Sequence, residues 1–555
     1  MKARRVQIVY NAKAYIARGE FREALRIEDG RIIRTGSGRE LLDAAPAGAE
    51  KLDAQGCLVL PAFHDSHLHL RWLGQRAGMI ECAGASSVEE IIRRGRDLVA
   101  RLKPPAGTWI QGAGVNPDLF TGEKRDPSRD DLDRVSGEHP LILSRHCGHT
   151  IYCNSPALKT AGISESAPEM EGGTIEKDEL GRPTGVLREN ANALIRDRIP
   201  PPGKAEALSC VRLAAEKALS LGITAAGSYD TLSPDPDETA GVYRALCGGG
   251  RRIRVTMQCG ISGREDILDA CLGRGLVTGK ILYEEPAAGP LLKMGPIKLF
   301  IDGTLGSHTA WMRRPYRDRG ETSGFPVLDL ESLEGFIRKA DAGKLQTLVH
   351  AIGDAGMDAV ITAFEKIAGG LPGPERNPLR HGIIHCQITD PELLERMARG
   401  RILALVQPVF LAEDMYILEK RVGPELAATS YAWGAMNRLG VAVSYGTDAP
   451  VSDLNPLLNI SWAVLRQNPA DGFPEGGFYP AERVDLADAI DAYTAGSAWP
   501  GFDEQRLGRI RPGFLADLVF IDRDLFSIPA RDIHRARVIR TMLAGETVWE
   551  GPGSG

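Results

Sequence analysis

The sequence predicts an α/β protein built on a (β/α)8 TIM barrel, with a composite β-sandwich from both termini and a large α/β insertion after the first barrel strand. Three observations carry that prediction. Short apolar runs alternate with helical stripes through the middle of the chain, as βα units around a parallel sheet require. Both ends carry short strands, but neither end carries enough to bury a face alone, so the two are expected to pair with each other. Finally, about 160 residues separate Phe63 in the first apolar run from Ile223 in the next, too many for a single βα connection.

Taken in order, residues 25–28 and 31–34 flank Asp29-Gly30, a dipeptide suited to a type I′ hairpin. The apolar run 58–63 reads as the first barrel strand, and it leads into Asp65-Ser66-His67-Leu68-His69. Side chains on a strand repeat with period two, so His67 and His69 can share a face about 7 Å apart, close enough to hold one metal ion. Taken alone, the pair suits two hydrogen-bonded surface histidines equally well. In the long interval, Ser87-x-x-Glu90 opens an amphipathic helix to Leu102, and 141–144 is extended. The interval is therefore expected to fold as an insertion overhanging the barrel mouth. Residues 205–221 carry a helical stripe that stops at Gly222. Seven more strands follow at 223–226, 253–257, 297–302, 346–350, 382–385, 402–406 and 441–445. Helices separate several of them, such as 354–367 and one opened by Thr389-x-x-Glu392. Strands at 516–522 and 538–543 close the chain. The expected boundaries are 1–57 and 505–555 for the sandwich, 58–74 and 204–504 for the barrel, and 75–203 for the insertion.

Composition narrows the function. A net charge of -6, with no long Lys/Arg block, argues against nucleic acid or an anionic membrane as partner. The nine cysteines are odd in number and form no C-x-x-C, which suits reduced thiols in a cytoplasm better than a disulfide framework or zinc ribbon. No stretch reads as a signal peptide or a membrane span. A small-molecule substrate is the expectation, with a homodimer as an open oligomeric state.

The chemistry gathers at predicted strand ends. His67 and His69 follow the first strand, Lys298 and Asp302 mark the fourth, His350 the fifth and His385 the sixth, and Gly446-Thr447-Asp448-Ala449-Pro450 follows the eighth. Each has an ordinary alternative as a core histidine, a snorkelling lysine or a turn cap. Together, on the rim where barrels carry their active sites, they point to a metal centre.

These residues lie in stretches that resemble the amidohydrolase superfamily of metal-dependent hydrolases, and within it the YtcJ-like branch that includes N-substituted formamide deformylases. The matching stretches are Pro61-x-Phe63-x-Asp65-Ser66-His67-x-His69, Gly148-His149-x-x-x-x-Asn154-Ser155, Gly181-Arg182-Pro183-Thr184-Gly185, Lys298-x-x-x-Asp302-Gly303, His350-x-x-Gly353-Asp354, His385-x-Gln387, Gln407-Pro408, Asp448-Ala449-Pro450 and Pro512-Gly513-x-x-Ala516-Asp517. The resemblance implies that His67, His69 and Asp448 bind one divalent ion, that His350 and His385 bind a second, and that a carboxylated Lys298 bridges them. Zinc suits this ligand set, with manganese, iron or nickel open to it as well. It further implies a hydroxide nucleophile, with Asp448 as the catalytic proton carrier. Asp302 would orient a ligand. His149 would be a substrate or transition-state contact, and His308, a further candidate, stands where the branch usually has arginine, which would alter a contact to substrate or loop. Ala62 and His64 are further departures from the pattern. The implied activity is hydrolysis of a non-peptide C–N bond in an amide, N-acyl or N-formyl compound. The alternatives are an ester or lactone hydrolase on the same metal site, and a non-catalytic binding relative.

Overall fold

The computed structural model describes residues 5–145, 150–165, 173–200, 203–230, 235–249, 252–261, 263–371 and 373–551. Eight strands form one parallel sheet in sequence order: β1 (Phe63–Leu68), β2 (Ile223–Tyr229), β3 (Arg254–Gly260), β4 (Gly289–Phe300), β5 (Thr347–Ala351), β6 (Gly382–His385), β7 (Leu403–Val406) and β8 (Val443–Tyr445). Strands β5, β6 and β7 are buried at every position, which is why they read as unbroken apolar runs rather than alternating ones. The sheet is nearly closed. Just beyond β8, the Asp448 N–H donates to the His67 carbonyl at 2.8 Å, and the His69 N–H donates to the Ala449 carbonyl at 2.9 Å.

Two elements differ from the sequence expectation. The run 58–63 is not the first barrel strand. Leu58–Pro61 pairs antiparallel with Leu518–Ile521 and parallel with Lys13 and Ala14, and the barrel strand starts only at Phe63. The chain crosses between sheets at Ala62, whose N–H donates to the Asp517 carbonyl, while the next N–H, of Phe63, donates to Gly222. His67 therefore lies inside its strand rather than beyond it. The fourth strand is also longer than expected, because Ile281–Glu285 adds to it as an antiparallel hairpin.

Two caps bear on the helix expectations. Ser87 caps its helix by accepting from the Glu90 N–H, but the Glu90 carboxylate reaches the Ser86 N–H at 2.8 Å instead of completing a capping box. The helix Pro391–Gly400 is capped by Asp390, not Thr389, since Pro391 occupies its first turn.

Internal contacts divide the chain into two compact units, Met1–Leu70 with Ala214–Gly555, and Arg71–Leu213. The first unit holds the barrel and two further sheets. One is four-stranded, in the order Arg31–Gly36, Ala24–Glu28, Val6–Tyr10, Glu50–Asp53. The other is six-stranded and drawn from both ends of the chain, in the order Glu546–Glu550, Val538–Leu543, Leu518–Ile521, Leu58–Pro61, Lys13–Ala17, Glu20–Arg22. Val9, Leu25, Ile27 and Ile32 of the former share a core with Val59, Leu518, Phe520 and Met542 of the latter. The hairpin turn between 28 and 31 has Asp29 at φ 45° and Gly30 at φ 82°, the left-handed pair that a type I′ turn requires.

The second unit holds a mixed six-stranded sheet, in which the neighbouring strands Ile110–Val115 and Leu141–Arg145 run parallel. Leu141 and Leu143 pack towards the helix Val88–Leu102, and Ile142 packs into the cluster with Leu158 and Ile195, as the two-residue period demands. Among the described residues, no helix is long and apolar enough to cross a membrane.

Candidate metal centre

The site is built where β8 returns to β1. Asp65 is fully buried, and its carboxylate accepts from the Thr447 N–H at 3.1 Å and its hydroxyl at 2.7 Å, from the His67 N–H at 3.2 Å and from the Tyr493 hydroxyl at 3.2 Å. Burial pushes this carboxyl up to about 7, against those hydrogen bonds. Gly446 lets the two strands approach: a Cβ there would stand 2.8 Å from the His67 nitrogen and 2.9 Å from its oxygen. The chain then turns with Asp448 at φ 55°, a left-handed conformation unusual for a non-glycine residue and held by its N–H bond to His67. The result brings Asp448 Oδ1 to 2.9 Å from His69 Nε2 and 3.4 Å from His67 Nε2. One ligand-type atom from each of His67, His69 and Asp448 lies within 4.8 Å of the others.

The four rim imidazoles each have one ring nitrogen occupied by an oxygen that can only accept. His67 Nδ1 meets Gln258 Oε1 at 2.7 Å, His69 Nδ1 meets the Tyr229 carbonyl at 2.9 Å, and His385 Nδ1 meets Gln407 Oε1 at 2.8 Å. His350 is the reverse, with Nε2 at 3.0 Å from the Gly303 carbonyl. The occupied nitrogen must carry the proton, so the lone pair falls on Nε2 in His67 and His385 and on Nδ1 in His350, whereas His69 faces an acceptor at each nitrogen, the Tyr229 carbonyl at Nδ1 and Asp448 Oδ1 at Nε2. His385 links the rings, with its centroid 4.4 Å from that of His350 and 6.3 Å from that of His67. Burial, with the nearby Lys298 ammonium second, holds His67 well below the usual imidazole range and His350 down to about 3. His385 is also held well below, by burial and then by its neighbours His350 and Lys298. Neutral imidazoles are the ligand form.

Lys298 is fully buried, and its amine has no hydrogen-bond partner. The nitrogen sits 4.8 Å from the Phe300 ring centroid, and burial pushes it down to about 7 against the attraction of Asp448. Asp302 accepts from the backbone N–H groups of Gly353 at 2.8 Å, Trp311 at 2.9 Å and Ile352 at 3.1 Å, which fastens the loops after β4 and β5 to each other. One of its oxygens lies 3.6 Å from His350 Nε2. Burial raises Asp302 to about 7, opposed by those three N–H groups.

His308 belongs to a different cluster, pairing with Asp318 at 3.2 Å and with Arg421, so its polar edge is engaged within the loops. His149 and its neighbour His146 lie outside the described residues. His64 is buried in the barrel interior beside Ser66 and Gln346, with Nδ1 unpartnered. The sequence reading missed Gln258 and the Tyr229 carbonyl, and it quoted Gln407 only inside a motif. The signal for Gln258 was its place one residue past the expected end of the third strand, but a neutral amide draws no notice in a search for charge and imidazole.

A parallel barrel whose strand ends gather neutral imidazoles, a carboxylate and a buried amine is the frame of a metal-dependent hydrolase. The chain belongs to the amidohydrolase family, whose model matches residues 50–549. It is 32% identical over 536 residues to the putative amidohydrolase YtcJ of Bacillus subtilis (strain 168), covering 96% of this chain and 97% of that one. It is 26% identical over 556 residues to the N-substituted formamide deformylase of Arthrobacter pascens, covering 98% of each. Among solved structures it matches an uncharacterized metal-dependent hydrolase from Pyrococcus furiosus with a TM-score of 0.71 at 27% identity, covering 94% of this chain and 99% of that one.

Proposed function

We propose that this protein hydrolyses a non-peptide C–N bond, in an amide, N-acyl or N-formyl compound, at a centre of two divalent ions. His67, His69 and Asp448 would hold one ion, His350 and His385 the second, and a carboxylated Lys298 would lie between them. Zinc fits these nitrogen and oxygen donors, and manganese, iron or nickel would fit the same set. The observation that carries the reading is Lys298. A fully buried amine with no hydrogen-bond partner, near the Asp448 carboxylate and the imidazoles of His67, His350 and His385, is an orphan until it is converted into a ligand. The similarity to the formamide deformylase supports the C–N bond class.

When bound, such ions supply an acidified water and a polarised substrate carbonyl. The chain's own residues do the rest. Asp448, held by its N–H bond to His67, accepts the proton of the attacking water and returns it to the leaving nitrogen, which an amide needs and an ester does not. His69 Nε2 stands 2.9 Å from Asp448 Oδ1, close enough for the two to share one ion. Asp302 keeps the loop carrying Gly303 against His350, so that this ring cannot swing away.

Metal analysis and a substrate panel test the reading. The native protein should carry two ions per chain and cleave N-formyl or N-acyl compounds faster than matched esters. Lys298→Ala should lose metal and activity, with partial rescue by a small added carboxylic acid. A fully loaded protein with an unmodified Lys298, or one that turns over esters alone, would overturn it.

A further inference from the structure

We propose that Gln258 and Gln407 are positioning residues that fix which nitrogen of His67 and of His385 is offered to metal. The proposal rests on the reading that these imidazoles are ligands. Each glutamine has its amide oriented by a backbone carbonyl. Gln258 Nε2 donates to the Ser66 carbonyl at 2.9 Å, and Gln407 Nε2 donates to the Leu405 carbonyl at 3.1 Å. With the NH2 groups committed, the opposite ends must be Oε1, and these meet Nδ1 of His67 at 2.7 Å and of His385 at 2.8 Å. An amide oxygen accepts and cannot donate, so each Nδ1 must hold its hydrogen and each Nε2 must be bare. Without that acceptor, a buried neutral imidazole is free to carry its proton on Nε2 instead, the tautomer that cannot bind metal there.

The backbone makes room for this arrangement. Gln258 is on β3 and His67 on β1, so the side chain must cross β2, which lies between them. It crosses at Gly227, where a Cβ would stand 2.7 Å from Gln258 Nε2 and 2.3 Å from the Ser66 carbonyl oxygen. Any larger residue at 227 would push the amide away from both partners. All four groups, Gln258, Gln407, His67 and His385, are almost completely buried, so water is not at hand to replace the amide. The two glutamines serve the two different proposed ion sites, one at each histidine.

The test measures metal affinity rather than turnover, by competition of the purified full chain with a chromogenic zinc chelator. Gln258→Leu and Gln407→Leu should each weaken binding of one ion by roughly 10–100-fold, the usual effect of removing a group that orients a ligand. Gln258→Glu keeps an acceptor beside His67 Nδ1 but loses the donor to the Ser66 carbonyl, so it should recover only part of the loss. Gly227→Ala reaches the same amide from the backbone side and should behave like Gln258→Leu. In nitrogen-15 NMR of the metal-free protein, the His67 proton should sit on Nδ1 in the native chain and leave it in Gln258→Leu. If the native chain binds no divalent ion, the metal-centre reading falls. If it binds two ions and the leucine variants, shown folded by circular dichroism, bind as tightly, this inference falls and the reading stands. Should one leucine variant not fold, the other decides, since the two devices sit on different strands.

Discussion

At the scale of single residues, the site depends on groups whose ordinary protonation is altered by burial. Lys298 shows the consequence most directly. Only the neutral amine attacks CO2, and an amine pushed down to about 7 is half neutral there, whereas an exposed lysine would remain almost wholly protonated. The metal-free protein equilibrated with carbon-13 bicarbonate should therefore show a carbamate signal that grows as pH rises through about 7 and fades below it. Lys298→Ala should lack that signal at every pH. A signal that does not vary between acid and neutral pH, or that survives in the variant, would place the reacting amine elsewhere.

At the scale of elements, β1 carries both the proposed ligand His67 and, three residues earlier, a histidine with a structural cost. Burial holds His64 down from its ordinary 6.5 to about 4. Between those values the unfolded chain binds a proton that the folded chain refuses, so stability is whole above pH 6.5 and falls as pH drops towards 4. The loss attributable to this one group is at most ~3 kcal/mol, from ~1.4 kcal/mol per pH unit across that interval. His64→Leu should narrow the gap between urea midpoints measured at pH 7.5 and pH 5, and an unchanged gap would assign the acid loss to other groups. The same strand shows what the sequence could and could not disclose. Seven of the eight barrel strands were legible because each contains a short apolar run, and the six candidate ligands His67, His69, Lys298, His350, His385 and Asp448 drew notice because they fall within or just after the expected strands. The split of 58–68 between two sheets was not legible, since Leu58 to Phe63 is equally buried on both sides of the crossing and periodicity carries no record of the partner strand. Ile281–Glu285 was missed because it adds to the outside of β4 as a half-exposed hairpin with no apolar run of its own. Gln258 and Gln407 escaped because what they do depends on an amide's orientation, and a backbone carbonyl on another strand, or two residues away, sets it.

At the scale of the whole molecule, the barrel and the sheet drawn from both chain ends are locked together by one buried ion pair within the first unit. Arg254, opening β3, places Nε at 2.7 Å and Nη2 at 2.8 Å from the two oxygens of Asp517, just before the strand Leu518–Ile521. Arg254 Nη1 donates to the Ala288 and Pro290 carbonyls, and Asp517 Oδ1 also accepts from the Ala544 N–H at 2.9 Å. Both side chains are about 5% exposed. Such a pair contributes little net stability against an apolar replacement, because both charges are stripped of water, but removing one partner leaves the other buried and uncompensated. Asp517→Ala should therefore lower stability by ~3–5 kcal/mol, read as a lower urea midpoint, while leaving the proposed metal ligands untouched. Replacing both partners, Arg254→Met with Asp517→Leu, should recover much of that loss, since no charge then remains in the junction. If the double variant were no more stable than Asp517→Ala, the pair would be holding the two sheets in register through its geometry rather than merely neutralising itself, and the C-terminal strands would be expected to become the first site of proteolytic cleavage in both variants.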